Sequence, residues 1–285
     1  MLFRSYFFIV VMAAKLNLWF DYYNTIMAEY WTNFVNGPGT DINFGVAVDG
    51  NKNVFVCGAT GTGTSNIHHI NSSIYGAVPQ FSGYVVKYDP YGTPQFRNYI
   101  SNVSGPSTNP VTSNAVATDI FGNVYVAGGA IGFSNLYNID GSNNLLLNSN
   151  IARNSGYIVK YNGINGNPEW RVFVANSATA TTLQSGTTPM NINSVVADTY
   201  LDVNGLCNVY GVGSTGSFTT ANVPVNSNIY QTGSNFISGS LSTSAPVAYY
   251  FPGTSQATTG AASTAYITQF KSSGTFGWAA YVSSN

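Results

Sequence analysis

The sequence predicts an all-β fold assembled from three copies of one four-stranded unit. Three observations predict it: a hairpin pattern occurs three times, a strand beginning with Gly-Tyr or Ala-Tyr follows each hairpin, and no helix-period pattern appears after residue 30. Repeated units bury their apolar faces against one another, so the repeat is the feature that determines the fold class.

Each hairpin consists of an apolar run (strand A), a turn of Asp, Gly and Asn, and a second apolar run that ends in Gly (strand B). The three hairpins span residues 43–58, 114–128 and 194–213. In the first copy, strand A is predicted at 43–48 and strand B at 53–58. The third copy has a longer turn, which weakens its strand register.

Strand C follows a B–C insert and reads GYVVKY at 83–88, GYIVKY at 156–161 and AYITQF at 265–270. A Gly-containing turn then leads to strand D, whose leading aromatic residue is Phe96, Trp170 or Trp278. Residues 31–35 (WTNFV) show the same alternation of apolar and polar residues. They predict one extra outer strand of the D type.

The B–C inserts are long and rich in Ser, Thr, Asn and Gly: 59–82, 129–155 and a third that reaches about 264. Each carries a short echo, namely Ser73-Ile-Tyr75, Asn135-Leu-Tyr137 and Asn228-Ile-Tyr230. This echo predicts a fixed docking point in each insert, with the tyrosine packed back on its own unit.

Residues 1–30 differ from the rest and form a predicted N-terminal extension. One cation followed by an apolar run and small residues is typical of a weak secretory signal. Two alternatives stay open: a docking helix, and a true translation start at Met27. The apolar run is shorter than the ~20 residues that a helix needs to cross a bilayer.

Four antiparallel strands per unit predict a β-propeller-like fold with blades at about 43–100, 112–175 and 192–283. Three blades are fewer than the four to eight of closed propellers. The early D strand cannot close the ring in the ordinary way, because the last unit already has its own D strand. We therefore expect an open or oligomer-completed ring, whose exposed edge favours self-association or a larger assembly.

The second unit contains Asp119-Ile-Phe-Gly-Asn-Val-Tyr-Val-Ala-Gly128, followed by Tyr-Ile-Val-Lys-Tyr and a Trp-led strand. This pattern resembles the SBBP-type β-propeller repeat, and the resemblance covers about residues 31–285. Such repeats occur in bacterial surface proteins and in proteins of large DNA viruses, so the resemblance implies a virion or an extracellular surface. It implies no particular activity, because propellers host many unrelated roles.

Charged residues make up 7% of the chain and the net charge is -1, which argues against a nucleic-acid partner. The two cysteines, Cys57 and Cys207, lie in different units and lack the short spacing of zinc ligands. We expect both to be buried or half-buried thiols that act as small apolar side chains.

No residues suggest a catalytic, cofactor or metal site. His68 and His69 are adjacent, and neighbouring strand residues face opposite sides, so they are interpreted as a solvated loop pair. Asp49, Asp119 and Asp202 open A–B turns, where Asp side chains bond nearby backbone. Asp89 is predicted to do the same in a C–D turn, and Arg97 and Arg171 are interpreted as surface repetition at equivalent D-strand positions.

These observations favour a non-enzymatic structural or binding subunit of a virion or surface assembly, without a transmembrane helix. Its inserts would contact protein or glycan, because loops on a rigid scaffold are where binding residues concentrate. The candidate binding residues are Tyr75, Tyr137, Tyr230, His68 and His69. The alternative is a secreted carbohydrate-active propeller enzyme, which would need two acids converging on one pocket.

Overall fold

The computed structural model describes residues 31–33, 35–68, 74–102, 110–130, 134–137, 155–175, 191–215, 228–231, 247–250, 254–257, 264–274 and 276–282. These residues contain strands and turns and no helix, which confirms the predicted all-β class. The predicted extension, residues 1–30, lies outside the described residues.

The strands follow one another along the chain in three groups. The first unit contains β1 (Val35–Asn36), β2 (Ile42–Val48), β3 (Val54–Ala59), β4 (Ser65–His68), β5 (Ile74–Val78), β6 (Gly83–Tyr88) and β7 (Pro94–Asn102). The second contains β8 (Val111–Thr118), β9 (Val124–Ala130), β10 (Ser134–Tyr137), β11 (Ser155–Tyr161) and β12 (Pro168–Ala175). The third contains β13 (Asn191–Ala197), β14 (Asn208–Thr215), β15 (Asn228–Gln231), β16 (Val247–Tyr250), β17 (Thr254–Ala257), β18 (Thr264–Lys271) and β19 (Phe276–Val282).

Three antiparallel sheets hold the predicted A-B-C-D strands of the three units as neighbours. The sheet orders are β10-β7-β6-β3-β2 (blade 1), β15-β12-β11-β9-β8 (blade 2) and β13-β14-β18-β19 (blade 3). The arrangement is β-propeller-like, as predicted, but the sheets differ in number and size from the prediction. Blades 1 and 2 have five strands instead of four, and a three-stranded sheet (β1-β4-β5) and a two-stranded sheet (β16-β17) accompany them.

The fifth strand of each five-stranded blade comes from the insert of the following unit. β10 pairs with β7, with Leu136 opposite Ile100, and β15 pairs with β12, with Ile229 opposite Val174. The echoes in the second and third inserts are therefore docking points, but they dock by backbone pairing on the preceding blade.

The first insert docks through a different segment from the predicted one. β1 pairs with β4, with Val35 opposite Ile67 and Asn36 opposite Asn66. Tyr75 packs against the apolar cluster of its own unit, as predicted, but the backbone equivalent of Ser134–Tyr137 is Ser65–His68. The short sequence SNI/L-Y/H recurs at both places, which is the signal that could have found it.

Residues 31–33 and 35–36 take the place of the outer strand of a blade before blade 1, although β1 itself starts only at Val35. The Trp31 indole donates to the Pro90 carbonyl at 3.2 Å, and the Asn33 amide donates to the Gly92 carbonyl at 2.6 Å. Likewise, the Asn98 amide of blade 1 donates to the Gly166 carbonyl of blade 2. The extra outer strand predicted at 31–35 is present at Val35–Asn36, but it adds to no blade: with β4 and β5 it forms a half-blade that we name the N-terminal cap.

Three apolar clusters hold the stack together, one at each junction. The first joins blades 1 and 2, the second joins blades 2 and 3, and the third lies between the N-terminal cap and blade 1. Central strands are buried on both faces, and for this reason β3, β6 and β9 are buried along their whole length.

A Gly-Tyr corner recurs in every blade and fixes strand A against strands B and C. In blade 2, the Tyr157 hydroxyl donates to the Thr112 carbonyl at 2.9 Å and lies against Gly128. A Cβ at Gly128 would overlap the Thr112 carbonyl oxygen. The same clash would arise at Gly58 in blade 1 and at Gly213 in blade 3, which explains why strand B ends in Gly.

We expect Gly128→Ala to lower the free energy of unfolding by ~1–3 kcal/mol, the usual cost of overpacking. The reason is that a strand backbone, and not a flexible side chain, occupies the space of the new methyl group. Urea denaturation measures it, with Gly50→Ala as the matched control, because no atom lies within 4 Å of a Cβ at Gly50. Equal free energies of unfolding for Gly128→Ala and Gly50→Ala would contradict the structural role of the Gly-Tyr corner.

Candidate functional site

The aspartates bond turn backbone, as the sequence predicts. The Asp119 carboxylate accepts the backbone N–H groups of Phe121 and Asn123, each at 2.9 Å. Its other oxygen accepts the Asn123 amide at 3.0 Å and the buried Tyr125 hydroxyl at 2.8 Å. Burial, followed by the Asp119 charge and this hydrogen bond, raises the pKa of Tyr125 far above its usual value.

Three further carboxylates repeat this arrangement. Asp49 Oδ1 accepts two backbone N–H groups of its A–B turn at 2.9 Å, and Asp89 Oδ1 does so in the first C–D turn. Asp202 accepts two backbone N–H groups and forms an ion pair with Lys271 at 3.0 Å. These hydrogen bonds, the backbone N–H of Leu206 first, hold the pKa of Asp202 below its usual value.

The lysines of strand C connect structural elements. Lys87 is buried, donates to the Gly163 carbonyl of blade 2 at 2.6 Å, and lies 5.7 Å from the centre of the Phe55 ring. Burial lowers the pKa of Lys87, while nearby carboxylates oppose the shift. Lys160, its equivalent in blade 2, pairs with Glu169 at 2.7 Å.

The interpretation of Arg97 and Arg171 as repeated surface arginines is wrong for Arg171. It does occupy the position equivalent to Arg97, since each lies opposite the same valine position of strand C. However, Arg171 is only 1% exposed, and burial lowers its pKa to about 9. Arg97 donates to the Ala77 carbonyl at 2.9 Å and thereby anchors β5 of the N-terminal cap.

The structure does not bring the predicted binding residues together. His68 ends strand β4 and is half-buried, so it lies in a strand and not in a solvated loop. Tyr75 is half-buried in the cluster under the N-terminal cap, and burial raises its pKa. Tyr137 and Tyr230 sit on the outer edges of two different blades, and His69 lies outside the described residues.

Among the described residues, no group of three or more His, Cys, Asp or Glu side chains is placed to bind a metal ion. The same part of the chain contains no helix with the length and apolar character needed to cross a bilayer.

Sequence reasoning missed an apolar surface at the turn tips. The A–B and C–D turns lie at one end of the blades, since consecutive antiparallel strands alternate in direction. They are in mutual contact, because Gly122 lies against Asp49 and the Asp202–Lys271 pair joins two turns. The exposed apolar residues of these tips are Tyr91, Ile120, Phe121, Ile164, Tyr200, Leu201 and Val203.

A second exposed apolar surface lies at the two ends of the blade stack. At the blade 1 end, β2 presents Val46 and Val48. At the blade 3 end, Val196 on β13 and Val212 on β14 are exposed. A half-buried edge strand ordinarily buries its apolar side chains and exposes polar ones, so these exposed apolar side chains are unusual.

The chain matches no protein-family model and no curated protein. The resemblance to the SBBP-type repeat therefore stays a prediction from the sequence.

We expect Asp119→Ala to lower the free energy of unfolding by ~2–4 kcal/mol, because it leaves a buried hydroxyl and two backbone N–H groups without their acceptor. Asp89→Ala is the matched control, since its turn is exposed. Its loss should stay below about 1 kcal/mol, because water replaces the carboxylate. Thermal denaturation followed by circular dichroism compares the two, and a larger loss for Asp89→Ala would contradict this account.

We expect both thiols to be unreactive in the folded protein. Cys57 and Cys207 are free and buried, as predicted, and burial raises both pKa values, that of Cys57 to about 12. A pKa of about 12 leaves only about one thiol in ten thousand ionised at pH 8. Titration with a chromogenic disulfide should count no fast thiol in native protein and two in denaturant. One fast native thiol would refute the burial of that cysteine.

Proposed function

We propose that this protein is a non-enzymatic structural or binding subunit of a larger protein assembly. The observation that carries the proposal is the apolar surface at both ends of the blade stack. Val46 is 54% exposed, whereas its equivalents in the other blades, Val116 and Val195, are 8% and 7% exposed. Exposed apolar patches of this kind mark sites of protein association.

The roles of the polar groups support a non-enzymatic protein. The described aspartates of the A–B and C–D turns accept backbone hydrogen bonds, and the strand C lysines join turns and blades. A catalytic acid or base instead needs a proton-accepting atom directed at a substrate.

The proposed setting is a virion or an extracellular surface. A charged fraction of 7% with a surface of Ser, Thr, Asn and Gly supports it. The resemblance of residues 119–128 to a repeat of bacterial surface proteins and large DNA viruses supports it as well. A glycan remains a candidate ligand of the inserts, because their Tyr and Asn content suits such contacts.

The competing function is a secreted carbohydrate-active enzyme. It would require two carboxylates about 5–10 Å apart on one pocket. Glu169 is the one glutamate among the described residues. It lies on strand D of blade 2 and forms an ion pair with Lys160 of strand C. This arrangement favours the structural role.

The experiment combines two measurements on the full chain. Sedimentation velocity across a range of protein concentrations should reveal association that grows with concentration. A reducing-sugar assay on an array of polysaccharides should detect no turnover. A monomer at every concentration, or turnover that one Asp→Asn substitution abolishes, would overturn the proposal.

A further inference from the structure

The two exposed ends of the blade stack are complementary halves of an interface that already occurs twice inside the chain. Between blades 1 and 2, Cys57 on strand B of the earlier blade joins the same cluster as Val116 on strand A of the later one. Between blades 2 and 3, Ala127 and Val195 hold these same two positions in one cluster. The junction is therefore a recurring blade-on-blade contact with fixed roles for each side.

Among the described residues no later blade follows blade 3, so blade 3 presents the earlier-blade side of this contact alone. The pairing register places Val212 at the position of Cys57 and Ala127, because each lies opposite the same residue of strand C. Cys57 and Ala127 are fully buried, whereas Val212 is 44% exposed. The row Tyr210-Gln269-Trp278 likewise matches Phe55-Lys87-Phe96 and Tyr125-Lys160-Trp170.

Blade 1 presents the later-blade side. Its strand A residue Val46 corresponds to Val116 and Val195 and is largely exposed. The N-terminal cap covers strands B and C of this face, where Val54, Val56 and Val86 are buried, and leaves strand A uncovered. β8 packs against both β2 and β13, while β2 and β13 make no comparable contact with each other.

We propose that two copies of this chain associate head to tail, with the blade 3 face of each copy on the blade 1 face of the other. This inference rests on the proposed function and names the partner and the surface. A second copy fits because its blade 1 presents the later-blade face that blade 3 lacks, and its blade 3 presents the earlier-blade face that blade 1 lacks. Two copies supply six blades, within the four to eight of closed propellers.

Part of the N-terminal cap must be displaced for this contact to form. β1 holds the position of an outer strand before blade 1, and β19 of the partner copy would hold the same position. β1 pairs with β4 through only two residues, Val35 and Asn36. Once released from its contact with β16, the seven-residue β19 can replace it, with Val282 opposite Ile67, as Ile100 lies opposite Leu136 between blades 1 and 2.

One residue of blade 3 weakens the contact. At the start of strand C, Gly83 and Gly156 admit the next blade, since a Cβ there would lie 2.7 Å from Ser113 Oγ or 2.9 Å from the Tyr266 hydroxyl. Blade 3 has Ala265, which is exposed. The head-to-tail contact is therefore looser than the internal junctions and forms at raised protein concentration.

The test uses single-cysteine variants at exposed valines, Val46→Cys and Val212→Cys, in the full chain. The native cysteines are buried and should not react. A short bis-maleimide is added to each variant alone and to an equal mixture. The proposal predicts a covalent dimer in the mixture and at most a trace in either variant alone.

Each other outcome overturns the head-to-tail contact. A dimer with Val46→Cys alone would mean that two blade 1 ends meet, and one with Val212→Cys alone that two blade 3 ends meet. No dimer in any sample would mean that these faces do not associate. Mixing Val46→Cys with Ile164→Cys is the control, because Ile164 is exposed in a turn of blade 2, which has a neighbouring blade on each side.

Two variants in the same mixture test the details. Ala265→Gly should tighten association at least about fivefold by removing one overpacked methyl group. Trp31→Ala should raise the dimer yield by loosening the cap, and a lower yield would refute the exchange of β1 for β19. If the wild-type chain associates in sedimentation but the mixture gives no crosslink, this contact is wrong and the proposed function stands.

Discussion

The burial of each blade against the next is the interaction on which the rest of the structure depends. A single sheet of this kind cannot shelter both of its apolar faces, and here strands such as β9 and β11 are apolar on both. In the stack, both apolar faces of blade 2 are buried because it has a neighbouring blade on each side. Blade 1 needs the N-terminal cap, and blade 3 retains an exposed face.

The Gly-Tyr corner makes that burial possible at close range. The glycine ending strand B and the tyrosine opening strand C bring strand A's carbonyl within reach of a hydroxyl. The glycine before the tyrosine then admits the next blade. Tight turns closed by aspartate keep the hairpins in register, so the polar groups of this chain organise the apolar junctions.

The sequence was sufficient to predict the all-β class, the three A-B-C-D units and the roles of the turn aspartates, because these depend on local patterns. It was insufficient for the inserts and the ends. Pairing of β10 with β7 joins residues of different units, and no periodicity reports it. The buried position of Arg171 also escaped prediction, since an arginine on an outer strand ordinarily faces solvent. The candidate binding tyrosines lie in separate places, because each belongs to the insert of a different unit.

Native-state hydrogen exchange tests the central claim most directly, because it measures the local stability of each blade in one experiment. If blade-on-blade burial stabilises the chain, the backbone amides of β9 and β11 in blade 2 should exchange most slowly at a concentration where the protein is monomeric. Those of β14 and β18 in blade 3 should exchange faster, since one face of that blade is open. Equal protection of all three blades, or slowest exchange in blade 3, would contradict the account.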